Sequence, residues 1–334
     1  MNTSSKPERL VFLDGIKVFA LLMVFALHTQ RAALVTEPCH NAVFFYAARC
    51  CMPLFFMVNG SLILRRDTFE FSYYRRKLFG ILRVLVFSGC FIGLYVFFFH
   101  HFPLRKALKE AAKGLLSYTP YAFLWFLYSF ALVYTLLLVL FPWVKAHLQA
   151  VLCALAALCI TLHLLSLFSI AHGGFFIQAA VTQRLRLWTW CFYFCLGRWL
   201  CTHCLHRFSA RFLCISAAVL TAAVILWQYW LCFMQTGQIE SSYLYDDPLI
   251  MLWSAALFLC FAALPRLSAW FAKFAPCSFG AFLIHGFLLD AFQLQSTVHG
   301  PVQSTLAWAG LVAASWLLSW GLNKVPYVRE ALRY

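Results

Sequence analysis

Apolar residues run through this chain in long blocks, with polar residues gathered between them. Ten blocks can be read, at about 10–30, 43–64, 78–100, 122–141, 148–170, 187–202, 211–234, 248–264, 274–294 and 303–322. Roughly 20 apolar residues wound at about 1.5 Å per residue cross a hydrocarbon core of about 30 Å. Lipid offers backbone N–H and C=O groups no partner, so only helices and closed barrels span it, and no strand-like alternation appears here. The pattern predicts an all-α integral membrane protein, a bundle of about ten transmembrane helices. The block at 187–202 is the shortest and the weakest as a span. No repeat and no long linker divides the chain, so residues 1–334 read as one transmembrane domain.

Composition removes the soluble alternatives. The chain is 63% hydrophobic and 11% charged, against about 25% charged in soluble domains. A net charge of +15, from 26 Lys and Arg against 11 Asp and Glu, would suggest nucleic acid on a soluble protein. Here the cations cluster between apolar blocks, where they orient helices, meet anionic head groups or bind an anionic ligand. Membrane lipids, and not nucleic acid, are the expected partners. Sorted by side, sixteen Lys and Arg residues share the side of both chain ends and eight lie opposite, which predicts cytoplasmic termini. The 101–121 loop opposes that trend with Arg105, Lys106, Lys109 and Lys113, and reads alternatively as an interfacial amphipathic helix. Fourteen cysteines, mostly inside apolar blocks, behave as small hydrophobes. No cleavable signal peptide is expected, because Asp14 and Lys17 interrupt the first block.

An ionisable residue within a span costs about 2.5–3.5 kcal/mol on insertion scales, so each one asks for a function. The first block holds Asp14, Lys17 and His28. Lys17 and His28 fall on one helical face roughly 16 Å apart along the axis, with Asp14 within about 40° of His28. An interfacial ion pair plus a histidine at the far membrane edge is the plain alternative. Arg76 and Arg83 also share a face, flanked by Arg75 and Lys77. Cytoplasmic anchoring explains the first three of that run but not Arg83, which lies two turns deeper and needs a partner or an anion. Arg49, four residues before Pro53, raises the same question.

These segments carry a resemblance. FLDGIKVFALLMVFALH is similar to the signature of membrane acyltransferase family 3, an acid and a basic residue followed after ten residues by histidine. RCCMPLFFMVNG (Arg49 to Gly60), YYRRKLFGILR (Tyr73 to Arg83), LWFL (Leu124 to Leu127), SFGAFLIHGFLLD (Ser278 to Asp290) and the tail NKVPYVREAL resemble further family segments in order. The likeness is nearest to the branch that O-acetylates enterobacterial common antigen. It implies a ten-helix enzyme of the bacterial inner membrane that takes an acyl group, most simply acetyl from acetyl-CoA, on the cytoplasmic side. The acceptor would be a hydroxyl of a cell-surface or lipid-linked glycan. By the same resemblance His28 is the general base, and Lys17 with Asp14 holds the thioester end of the donor path. Arg75, Arg76, Lys77 and Arg83 receive the CoA phosphates, while Arg49, Asn59, Trp125 and His285 line the acceptor side. Lys17 stands where the family usually has arginine, and Asn59 where it commonly has serine.

Other signals weigh less. CTHCLHR places Cys201, His203, Cys204 and His206 too close together for tetrahedral zinc, so no metal is expected. Trp125 could wall the acceptor pocket but reads first as an interfacial anchor, and His285, on one face with Ser278, reads equally as a packing histidine. Asp246 and Asp247 read as solvated loop acids, and Asp290 lies near the outer end of its block. A transporter or flippase, whose buried charges would line a path, and a catalytically inactive family member are the competing readings.

Overall fold

The computed structural model describes residues 10–36, 38–115, 124–236, 244–294 and 300–326. Its elements in order are α1 (Val11–Thr36), α2 (Pro38–Ala48), α3 (Cys51–Ile63), α4 (Phe71–Phe98), α5 (Leu104–Leu115), α6 (Trp125–Ala146) and α7 (Leu148–Ala171). Two short 3-10 turns, Ile177–Ala180 and Gln183–Leu185, lead to α8 (Leu187–His203), α9 (Ala210–Thr236), α10 (Pro248–Ala263), α11 (Pro265–Ala272), α12 (Ala275–Ala291) and α13 (Gly300–Leu322). No strand occurs among the described residues.

All ten apolar blocks contain helix, but not all are full spans. Among the described residues, seven helical segments are long and apolar enough to cross a membrane, or eight if α10 and α11 count as one span bent by 92°. That bend falls at Leu264–Pro265, where proline disfavours helical geometry in the residue before it. The other two blocks form α8 and α12, of 17 residues each, which rise only about 26 Å. The block at 43–64 is divided by a turn at Arg49 and Cys50 into α2 and α3. α4 begins earlier than its apolar block, because Tyr73 to Lys77 form its first turns. Arginine and lysine are good helix formers, so hydropathy alone misses this extension.

Close backbone approach fixes the centre of the bundle. Where α3 crosses α8, a Cβ on Gly60 would collide with the Phe194 carbonyl, and one on Gly197 with the Met57 carbonyl. Phe56 of α3 stacks on Trp190 of α8 at 4.5 Å between ring centroids, and a continuous apolar core surrounds the crossing. The Sγ of Cys50, Cys51, Cys159 and Cys195 are free buried thiols, as the sequence pattern expects of small hydrophobes.

Polar contacts sort the helix ends into two groups. At one end Lys145 Nζ donates to the Arg66 carbonyl at 2.7 Å, Tyr74 meets Thr135 at 3.2 Å and Ser319 donates to the Cys277 carbonyl at 2.7 Å. At the other, Tyr95 and His100 both lie 2.7 Å from Asp290, and Ser304 donates to Gln30 at 2.9 Å. The cation-rich segments gather at the first end, and α5 belongs with the second. Residues 1–9 and 327–334, on which the placing of the termini turns, lie outside the described residues.

One reading of the loops is corrected. Asp246 and Asp247 are buried, not solvated, at 1% and 2% exposure. Trp188 Nε1 donates to Asp246 at 3.2 Å, Thr189 donates to its other oxygen, and Trp227 Nε1 donates to Asp247 at 2.5 Å. Asp247 also accepts from Leu249 N at 2.8 Å, capping α10. His163 of α7 lies 3.9 Å from Asp247, and Arg186 acts electrostatically on Asp246. This buried network ties α7, α8, α9 and α10 at one end. Its side-chain hydrogen-bond donors lie 20 to 58 residues away in sequence, so local reading of the loop does not reveal them.

Candidate active site

The acid of the first block sits in the first turn of α1, where the helix dipole favours negative charge. One turn on, Lys17 Nζ donates to Asp14 Oδ1 at 3.2 Å, with both side chains half-buried. Between them Gly15 lets α11 press on α1, since a Cβ there would lie 2.7 Å from the Ser268 carbonyl oxygen. Lys17 is also close enough to Lys77 of α4 to act on it electrostatically. Two segments distant in sequence thus share one charged region.

Along the first half of α4, Arg75, Arg76, Lys77 and Arg83 line a cavity of about 1000 Å³ together with Ser72, Tyr73, Phe79 and Gly80. Arg76, Ser72 and Tyr73 also border a second cavity of about 190 Å³, shared with Arg66, Thr68 and Glu70. The Arg66 guanidinium lies 3.9 Å over the Tyr73 ring and that of Arg76 lies 5.1 Å from it. Guanidinium forks match phosphate oxygens, and cations beside a ring suit a ligand that carries both phosphate and an aromatic base. Arg66 and Tyr73 border these cavities and are candidate residues that sequence reasoning missed. Arg66 counts there only as an orienting charge, although Tyr73 opens the same YYRRK run.

Higher on α1, His28 faces His285 of α12 with ring centroids 5.5 Å apart. Phe25 stacks on His285 at 4.7 Å. His285 Nδ1 donates to the Phe282 carbonyl, which makes Nε2 the acceptor nitrogen of the neutral ring. Trp308 Nε1 donates to the Leu22 carbonyl at 3.0 Å and fixes α13 against the same stretch of α1. The helix is continuous from Lys17 to His28, so the two lie roughly 16 Å apart along its axis. The result is a cation-rich region at one depth and a histidine pair at another, joined by one helix.

A family model described as an acyltransferase domain matches residues 10–324. The chain belongs to membrane acyltransferase family 3. Neither curated proteins nor solved structures gave a match. The match takes in α1 to α13, and with them every residue placed above.

The remaining candidate residues of this acyltransferase make contacts that tie other helices of the bundle together. Arg49 is fully buried, donates to Gln228 Oε1 at 2.5 Å and lies 4.9 Å from the ring centroids of both Phe45 and Tyr46. Those contacts join the α2–α3 turn to α9. Asn59 Oδ1 accepts from Tyr134 at 3.0 Å while Asn59 Nδ2 donates to the Phe55 carbonyl at 3.3 Å, joining α3 to α6. Trp125 opens α6 half-buried, 5.5 Å from Trp190, so its ring is engaged inside the bundle.

Proposed function

We propose that this acyltransferase is an O-acetyltransferase that moves an acetyl group from cytoplasmic acetyl-CoA to a hydroxyl of a cell-surface or lipid-linked glycan. The setting is a bacterial inner membrane with both chain termini cytoplasmic, and the acceptor class follows the resemblance to the enterobacterial common antigen branch. The observation that carries the reading is the cavity of about 1000 Å³ lined by Arg75, Arg76, Lys77 and Arg83. Its donors suit the several phosphates of CoA, and Tyr73 with Arg66 suits its base. Lys17, held by Asp14, extends the charged region toward α1, where the donor's thioester arm would lie. Arg49, Asn59, Trp125 and His285 are assigned to the acceptor side.

In the chemistry we assign, His28 takes the proton of the acceptor hydroxyl as that oxygen attacks the thioester carbonyl. The C–S bond then breaks, the acetyl ester is formed, and the proton passes from His28 to the departing CoA thiolate. Neutral imidazole suits this task because its ordinary pKa is about 6.5. The test is purified protein supplied with acetyl-CoA and candidate glycans. Acceptor-dependent release of free CoA that disappears in His28→Ala supports the reading. Solute uptake into liposomes with no CoA release overturns it in favour of a transporter. Comparison with Lys17→Arg separates an inactive family member, which releases no CoA with either residue. Mass analysis of surface glycans from cells with and without the chain then identifies the product by an acetyl-sized difference.

A further inference from the structure

α5 presents three different faces. Toward α4 it is small: a Cβ on Gly89 would lie 2.9 Å from the Ala111 carbonyl oxygen, and one on Gly93 3.0 Å from the Ala111 Cβ. On one flank Leu104 and Leu108 are 63% and 62% exposed and align with the exposed Leu115. On the side turned away from α4, Arg105, Lys109 and Lys113 form a column at i, i+4 and i+8. Lys113 is paired with Glu110 at 2.6 Å and Lys106 Nζ lies 3.5 Å over the Phe102 ring. Arg105 and Lys109 are exposed and have no acidic partner among the described residues.

The position of this helix is as telling as its faces. His100, just before it, contacts Asp290 at the end of the bundle away from the cation-rich segments. α5 then turns back along α4, whose Gly93 and Gly89 lie about 8 and 14 Å before Phe98. In the orientation proposed above, on which this inference rests, cations are disfavoured on that side of a membrane protein, and exposed leucines are disfavoured in water. Both are accommodated where hydrocarbon meets phosphate.

We propose that α5 is a docking surface for anionic phospholipid in the leaflet opposite the cation-rich helix ends. Lipid phosphates meet Arg105, Lys109 and Lys113, and acyl chains lie along Leu104, Leu108 and Leu115. Charge complementarity selects the head group, and the leucine flank selects a lipid over a free anion. Because α4 also carries the cavity-lining arginines, the docked lipid holds that wall in place.

The experiment uses the full chain in nanodiscs of phosphatidylcholine doped with phosphatidylglycerol, with retained lipid counted by native mass spectrometry. The variant R105Q/K109Q/K113Q is compared with R207Q/R211Q/K273Q, which removes as many cations from the opposite end. Apparent affinity for phosphatidylglycerol is expected to fall about tenfold or more in the α5 variant and to exceed the loss in the control. L104Q/L108Q, which keeps every cation, is expected to lower it as well. Equal retention by the α5 variant and wild type overturns the proposal, as does displacement of the lipid by inorganic phosphate or equal retention of both lipids by wild type.

Discussion

His28 and His285 hold their rings 5.5 Å apart across α1 and α12, and the second is oriented by Phe25 on its face and the Phe282 carbonyl at Nδ1. If His28 is the base, its removal costs the usual range for general base catalysis. His28→Ala is expected to lower turnover by about 10²–10⁴-fold while thermal unfolding stays cooperative. His285→Ala is expected to lower kcat with little change in KM for acetyl-CoA, because His285 lies away from the arginine-lined cavity. Steady-state kinetics with both substrates varied checks the pair. An undiminished kcat in His285→Ala would leave that residue a packing histidine.

The cavity on α4 gives a second expectation, on the donor side. A hydrogen bond between charged groups is worth about 1.5–3 kcal/mol, or roughly 10–100-fold in affinity. Arg76→Gln and Arg83→Gln are each expected to weaken CoA binding by that factor, measured by titration calorimetry. Dephospho-CoA separates the phosphates: an arginine that binds the ribose phosphate loses its effect with that ligand. Tyr73→Leu tests the ring, and unchanged CoA affinity in all three variants would remove the cavity from the donor path.

Every apolar block read from hydropathy contains helix, because burial in lipid demands long apolar runs, whereas α5 and α11 lie outside those blocks; helical periodicity aligned Lys17 with His28 and Arg76 with Arg83. What it did not locate came from pairing across the chain. The short α8 and the break at Arg49 are held by contacts across the chain, whereas the bend at Pro265 has its cause in the proline itself. Asp246 and Asp247 were misread because their donors, Trp188, Thr189 and Trp227, belong to other helices. Arg66 borders the second, smaller cavity, where its guanidinium lies over the Tyr73 ring.

The crossing of α3 and α8 yields a stability prediction. Gly60 and Gly197 each bring backbone against backbone, so an added methyl has no flexible side chain to displace. Gly60→Ala and Gly197→Ala are each expected to destabilise the protein by about 1–3 kcal/mol, read as a lower unfolding temperature in detergent. The double variant is expected to lose less than the sum, since both methyls force apart the same pair of helices. Strict additivity would place the two contacts at independent sites.

The buried acid pair gives a pH dependence whose sign follows from its environment. Burial raises the Asp246 carboxyl above its ordinary 3.8, outweighing hydrogen bonds from Thr189 and Trp188 and the attraction of Arg186. The folded protein therefore holds this proton more tightly than the unfolded chain. Across the window between the two pKa values the native state binds more protons, so stability contributed by this group falls as pH rises. Below about pH 4 the contribution is fully present, and above the folded pKa it is lost. Asp246→Asn keeps an acceptor for Thr189 or Trp188 and removes the titration. Unfolding temperatures of wild type and variant, compared from about pH 4 to neutral, are expected to diverge steadily, with the variant gaining on wild type as pH increases. A constant offset between the two curves would mean that Asp246 ionises equally well in the folded and unfolded chains.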